Sequence, residues 1–502
     1  MKRLILSLCL LIAVMLAAYH GVRMVKPAGL TNADMHDAGY LNVKQDLGVI
    51  AAHPHPAASP RQAEVRHYLQ ETISAMGYRV VEQPFTFTIT DMVSQQERLY
   101  AKLNEPQRKA FDAELARVGA AGSFEKEVRI RSGLQDGERG QGTNLIVTHT
   151  VPGATGTVLL MAHYDSVGTA PGASDDGMAV SSLLQLMRET ISHSDVKNNV
   201  IFLLTDGEEL GLLGAKHFVS QLSPAERDAI GLVVNFEARG NRGVPLLFET
   251  SPKNNRLINV LNNGVKDIIA FSFTPLIYQM LQNDTDMTAF KPYNVTGLNF
   301  AVVEGVEHYH HMSDTVENLP PETLFRYQKM VRDVGQYFIH DVDVSTLSAD
   351  EDAVYFPLPF GKLLVMPLMA AYLAGVGLLI LCGVWAWQCR HPAKNNGNRR
   401  ALIKPGAIVL LGMICAALSF LASTVVYLLT IPLLFCVLLT LLKQHFYLAS
   451  LTALLGVYVT GILYFPVIYL VTSGLQLPIV AGIIGLIPLA LWIPAIAGVM
   501  RK

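Results

Sequence analysis

Two short apolar runs, Val158–Met161 and Val200–Leu204, each break off into residues that bind metals or move protons. His163 and Asp165 follow the first run; Glu208 and Glu209 follow the second. Between them Met178–Met187 has a helical apolar rhythm and is entered through Ala173-Ser174-Asp175-Asp176-Gly177. Runs this short and this apolar read as strands buried on both faces of a parallel sheet. Open α/β sheets place their ligand sites beyond the carboxyl ends of such strands. The stretch predicts a strand–helix–strand unit carrying a metal-dependent hydrolytic site.

The flanking chain repeats the alternation. Ser59-Pro60 opens a helix that ends at Gly77, Arg79–Thr90 alternates as a strand, and Asn144–Thr148 is another strand. Residues 92–135 are charged and helical and interrupt the pattern, either as an insertion near the site, as a partner surface, or as a solvated helical hairpin. Further on, Ile230–Phe236 and Gly297–Val303 read as strands, with Leu246–Glu249 a weaker one. Residues 253–269 and Leu324–Ile339 have helical periodicity, and Gln282–Phe290 reads as a polar loop. The expectation for residues 30–345 is a doubly wound, mostly parallel α/β sheet covered by helices on both faces.

Outside that block the solvent changes. Of 502 residues 51% are hydrophobic and only 16% charged, and the apolar excess sits at the start of the chain and after Phe360. Met1-Lys2-Arg3 ahead of Leu4–Ala18 has the form of a secretory signal. Met15 and Leu16 spoil the small-residue cleavage pattern, so residues 1–24 are expected to stay as a signal anchor. Residues 361–502 predict an all-α membrane domain of about five helices. Leu363–Trp387 forms the first, residues 405–442 two tight passes or one long kinked one, and Leu448–Val471 and Leu477–Met500 the rest. Arg390, Lys394, Arg399, Arg400 and Lys404 mark the first loop as cytoplasmic. The expectation is therefore a multi-pass protein of bacterial inner-membrane type, its catalytic domain on the exported, periplasmic side and the lipid bilayer its partner. No Asp or Glu lies within those helices, which disfavours transport. All five cysteines lie beside apolar segments, so the middle of the chain has no thiolate ligand, and a net charge of −2 gives no reason to expect nucleic acid. The oligomeric state is left open.

Five segments supply imidazole and carboxylate groups: His163 with Asp165, Asp175 with Asp176, Glu208 with Glu209, Glu237, and His310. Taken singly each has a plain reading. A His-x-Asp is ordinary surface, paired glutamates suit a helix N-terminus, and Asp-Asp-Gly is a turn. Five in succession, each at a strand end, point to one rim. Such ligands suit zinc at an open hydrolytic site. A paired-metal site generates hydroxide near neutral pH, and a carboxylate base must still take the water's proton.

Residues 45–340 resemble the M28 family of zinc peptidases, aminopeptidase-like enzymes. The matching motifs are His163-Tyr164-Asp165-Ser166, Gly172–Gly177, Gly207-Glu208-Glu209-Leu210-Gly211, Asn235-Phe236-Glu237-Ala238 and Tyr309-His310-His311-Met312-Ser313-Asp314, with Asp284–Phe290 as an acidic loop. The resemblance implies a zinc-aminopeptidase-like fold with two Zn2+ per chain and peptide substrates. Asp175 would bridge the metals, His163 and Glu237 would complete one site, and Glu209 and His310 the other. Glu208 would be the general base, Asp165 the carboxylate orienting His163, and Tyr309 the oxyanion donor. His310 is preferred to His311 on its spacing to Asp314. Asp284, Asp286 and Arg239 are candidates for docking the substrate's amine. Glu237 stands where many members have Asp, and with Glu237-Ala238-Arg239-Gly240 and the apolar tail it makes the chain similar to the membrane-anchored branch. The expected activity is removal of N-terminal residues from peptides by metal-bound hydroxide. A carboxypeptidase or dipeptidase, a glutaminyl cyclase, and a catalytically silent zinc-stabilised binding module are the alternatives.

Overall fold

The computed structural model describes residues 2–370, apart from 104, 135–136, 191–195, 276–277, 279–283 and 359, together with Leu373 and residues 446–469. They fall into two compact units. One comprises Pro27–Ile268 and Thr274–Ala349; the other comprises Met1–Lys26, Ile269–Phe273 and the chain from Asp350.

The larger unit is built on a mixed sheet. Its strands are β1 (Val80–Thr88), β2 (Arg139–His149), β3 (Thr157–His163), β4 (Asn199–Thr205), β5 (Ile230–Ala238) and β6 (Leu246–Thr250), while β7 (Ile269–Ala270) belongs to the other unit and β8 (Gly297–Val302) returns to this one. Across the sheet the order is β1-β2-β4-β3-β5-β8-β6. The four central strands β4, β3, β5 and β8 are parallel, and β2 and β6 flank them antiparallel. β2 and β3 follow one another in the chain, yet β4 lies between them. Every residue of β3 and of β8 is buried, which explains why these strands read as unbroken apolar runs rather than alternating ones.

Strand alternation sends side chains to two helical layers. Leu159 and Met161 pack with Ala215, Phe218, Val219 and Phe290 on one face. The helix Met178–Thr190 lies against β3 on the other, backed by Ala38–Ile50 and Pro321–His340. Val180, Leu183, Leu184, Leu186 and Met187 are wholly buried there, each stabilising the layer by about 1.5–3 kcal/mol relative to exposure. Gly335 lets the two helices approach: a Cβ at that position would lie 2.2 Å from Leu186 Cδ2.

Helix Pro60–Ala75 starts as expected, with the Ser59 hydroxyl accepting from Gln62 N at 3.0 Å and proline in the first turn. The insertion resolves into three helices, Ile89–Lys102, Glu105–Arg117 and Phe124–Ser132, rather than one hairpin. Residues 286–293 form a 3-10 segment that buries Asp286, Met287, Ala289 and Phe290, so that stretch is not a polar surface loop.

In the smaller unit, Lys2–Val25 packs against Phe446–Tyr469. The backbones come close because the contact is made by small residues: a Cβ on Gly461 would meet Ala17 Cβ at 2.5 Å. Among the described residues Ser7–Val25 and Leu451–Tyr469 are long and apolar enough to cross a membrane. The span expected from Leu363 is corrected at its start. Ala353–Leu358 (β9) and Lys362–Pro367 (β10) form an antiparallel hairpin, because Phe360 and Gly361 both turn with positive φ and Pro357 and Pro367 are poor helix residues. Residues 371–387 apart from Leu373, residues 405–442 and Leu477–Met500 lie outside the described residues.

Candidate metal centre

All five segments arrive at the carboxyl end of the parallel strands. His163 is the last residue of β3, Glu208 and Glu209 follow β4 in a turn, Glu237 lies near the end of β5, and His310 follows β8. The two glutamates precede the helix Leu213–Gln221 and are not part of its first turn, which removes the dipole reading of the pair. Asp175 sits in the turn Ala173–Gly177 with extended-type backbone angles.

The side chains converge on Asp175. Its Oδ1 lies 3.3 Å from His163 Nε2, which is 3.8 Å from Glu237 Oε2. Its Oδ2 lies 3.3 Å from His310 Nε2, which is 3.0 Å from Glu209 Oε2. Two buried donor groups result, His163–Asp175–Glu237 and Asp175–Glu209–His310, the ligand atoms of each lying within 4.8 Å of one another. One carboxylate thus faces two groups with different oxygens. The nitrogen and oxygen donors match the preferences of zinc.

The supporting shell fixes these atoms. His163 Nδ1 donates to the Asp165 carbonyl at 2.9 Å, which leaves Nε2 with its lone pair toward Asp175 and Glu237. The Asp165 carboxylate, 3.6 Å from His163 Nδ1, instead accepts the N–H groups of Glu208 at 3.1 Å and Glu209 at 3.3 Å. Asp165 therefore orients His163 through its backbone and the glutamate turn through its side chain. Asp314 accepts from Ser174 N at 2.9 Å, Ser174 Oγ at 2.6 Å and Asp175 N at 3.2 Å. His311 is exposed and its Nδ1 pairs with Ser313 Oγ at 2.8 Å; His310, at φ 54°, is the imidazole turned inward.

The electrostatics follow from burial and crowding. Burial first, then the neighbouring Glu237, Glu209 and Asp286, push the Glu208 carboxyl well above its usual range, with His163 opposing. Against the burial that would raise it, the neighbouring imidazoles of His163 and His310 hold the Asp175 carboxyl well below its usual value. Burial pushes Asp176 well up. Tyr309 is likewise raised by burial and by the anions Asp175 and Glu209, so its hydroxyl stays a donor at neutral pH. Its ring stacks on His310 at 3.7 Å.

The candidates for amine docking separate. Asp286 is buried, accepts from the Thr205 hydroxyl, and is pushed up to about 7, chiefly by burial. Asp284 is exposed and accepts from Thr288 Oγ1 at 3.2 Å. Arg239 lies with its guanidinium carbon 5.4 Å from the Tyr309 ring centre, a cation that repels an amine. Two further residues had no signal in the sequence. Arg131 reaches Glu209 Oε2 at 3.1 Å while holding Glu127 at 3.1 Å, and Arg117 donates to the Tyr309 carbonyl. Both come from the helical insertion, so that insertion touches the site through two guanidinium groups.

Residues 144–335 match peptidase family M28. The vacuolar membrane protease of Candida albicans (strain WO-1) is 27% identical over 347 residues, covering 67% of this chain and 34% of that one. Endoplasmic reticulum metallopeptidase 1 of Homo sapiens is 30% identical over 189 residues, 37% of this chain and 21% of its own. The chain thus spans about a third or less of the length of these relatives. Among solved structures, the aminopeptidase from Aneurinibacillus sp. strain AM-1 superposes with a TM-score of 0.46 at 14% identity, covering 66% of this chain and all of that one (100%). The chain carries a peptidase family M28 domain.

Proposed function

We propose that this chain is a membrane-anchored dizinc metallopeptidase that removes N-terminal residues from peptides. The observation that carries the reading is Asp175, whose two oxygens face two separate His/carboxylate groups, with Glu208 beside them. His163, Asp175 and Glu237 would hold one zinc, and Asp175, Glu209 and His310 the other. When bound, the ions polarise the scissile carbonyl and acidify water at neutral pH. Glu208, its carboxyl raised by burial and like charge, takes the proton of the attacking water and delivers it to the leaving amine. The Tyr309 hydroxyl stabilises the negative charge that forms on the carbonyl oxygen. Membrane anchoring is supported by the two long apolar helices and by relatives named as membrane or endoplasmic reticulum proteases.

The test uses the full chain purified in detergent. About two zinc ions per chain, hydrolysis of unblocked peptides, and a fall in kcat of about 10²–10⁴ in Glu208→Gln with zinc retained are the expected outcomes. Stoichiometric zinc without hydrolysis of any unblocked peptide would sink the enzyme reading.

A further inference from the structure

Arg239 lies two residues beyond Glu237, just past the close of β5, and is not among the donor groups of the cluster. Its guanidinium is 5.4 Å from the centre of the Tyr309 ring, and that ring stacks on His310. Only one aromatic ring therefore separates it from the donor cluster. Nη1 of Arg239 is buried and has no hydrogen-bond acceptor among the described residues. A buried cationic N–H without an acceptor is costly. A second guanidinium, Arg117, stands 5.8 Å from the same ring. Two cations on one ring, beside a cluster of carboxylates and imidazoles, define a small anion-preferring corner.

We propose that Arg239 binds a carboxylate of the substrate, and that the enzyme thereby favours short peptides with a free C-terminus. The inference rests on the peptidase reading above and adds the substrate class. A guanidinium presents a planar fork that fits a carboxylate with two parallel hydrogen bonds and discriminates against an ammonium. Each residue of an extended peptide covers at most ~3.3–3.6 Å. A carboxylate this near the cluster accordingly belongs to the terminus of a di- or tripeptide, or to an acidic side chain beside the cleaved bond. The rest of the substrate is held by its amine among the acids and by its carboxylate at Arg239, so that length is measured between two charges.

The test compares Leu-Leu, Leu-Leu-amide and Leu-Glu-amide on the zinc-loaded full chain in detergent. The expected result is a kcat/KM for the free acid roughly 10- to 100-fold above that for the amide, carried mainly by KM. Recovery with Leu-Glu-amide would assign the carboxylate to a side chain instead of the terminus. Arg239→Gln should bring the acid-to-amide ratio to about one, and Arg239→Lys should keep part of it, with zinc content checked in both. Hydrolysis of acid and amide at equal rates by the unaltered chain overturns this inference and leaves the peptidase reading standing. The Kd of the reduced-bond isostere of Leu-Leu, as acid and as amide, reads the same ratio without turnover. Absence of any hydrolysis by the unaltered zinc-loaded chain, with the Kd ratio present, would overturn the peptidase reading alone, and equal Kd values would overturn the role of Arg239.

Discussion

The Asp165 carboxylate accepts the backbone N–H of Glu208 at 3.1 Å, and through Glu209 N at 3.3 Å it holds the whole glutamate turn. The same residue fixes His163 through its carbonyl. One side chain therefore ties the end of β3 to the turn after β4. Asp165→Ala is expected to weaken zinc binding about 10- to 100-fold and to lower kcat further, because Glu208 loses its anchor. Asp165→Asn keeps one acceptor oxygen and should fall between. Chelator competition gives the metal term and steady-state kinetics the rest; unchanged zinc affinity in Asp165→Ala would refute the coupling.

Asp314 does for Asp175 what Asp165 does for the glutamates. It accepts three hydrogen bonds from Ser174 and Asp175 in a fully buried setting. Removing it leaves buried N–H groups without an acceptor, at about 1–3 kcal/mol each. Since Asp175 serves both donor groups, Asp314→Ala should lower bound zinc at both positions together. Elemental analysis after dialysis is the measurement. Loss confined to one zinc per chain would mean that Asp175 is not the shared ligand.

How far the site could be read in advance differs by residue. His163, Glu209 and Glu237 stand at or just beyond the ends of apolar strands, Asp175 in the turn ahead of a helix and His310 in the segment after β8, and the strand pattern gathers all of these at one rim. Arg131 could not be found that way. It lies in a charged helix whose spacing suits solvent equally well, and only the fold of the insertion brings it to Glu209. The Asp165 carboxylate was foreseen as a partner of His163, but a two-residue spacing does not say whether the carbonyl or the side chain makes the bond. The β9–β10 hairpin was hidden for another reason. Its second strand is an apolar run continuous with the tail, and the turn at Phe360-Gly361 outweighs that composition.

Tyr309 offers a test that separates chemistry from packing. Tyr309→Phe keeps the ring on His310 and removes only the hydroxyl. If that hydroxyl meets the developing oxyanion, kcat should fall by about 10²–10³ while KM and zinc content hold. An unchanged kcat would reduce Tyr309 to a wall between His310 and the two arginines.

His55 carries a prediction about stability rather than catalysis. It is buried, its Nδ1 donates to the His53 carbonyl at 2.9 Å, and burial lowers its pKa from 6.5 to about 4. In the unfolded chain the same imidazole takes a proton near 6.5. Between these values the unfolded state binds the extra proton, so stability is fully present above pH 6.5 and is lost as pH falls toward 4. Going from pH 7.5 to pH 5 should cost about 2 kcal/mol through this group. His55→Gln has no such proton to bind and should lose less over that interval, although it starts from a lower stability because the packing is altered. Pulse proteolysis of both proteins across denaturant at the two pH values measures the difference. Equal losses in the two proteins would show that His55 is protonated in the folded state.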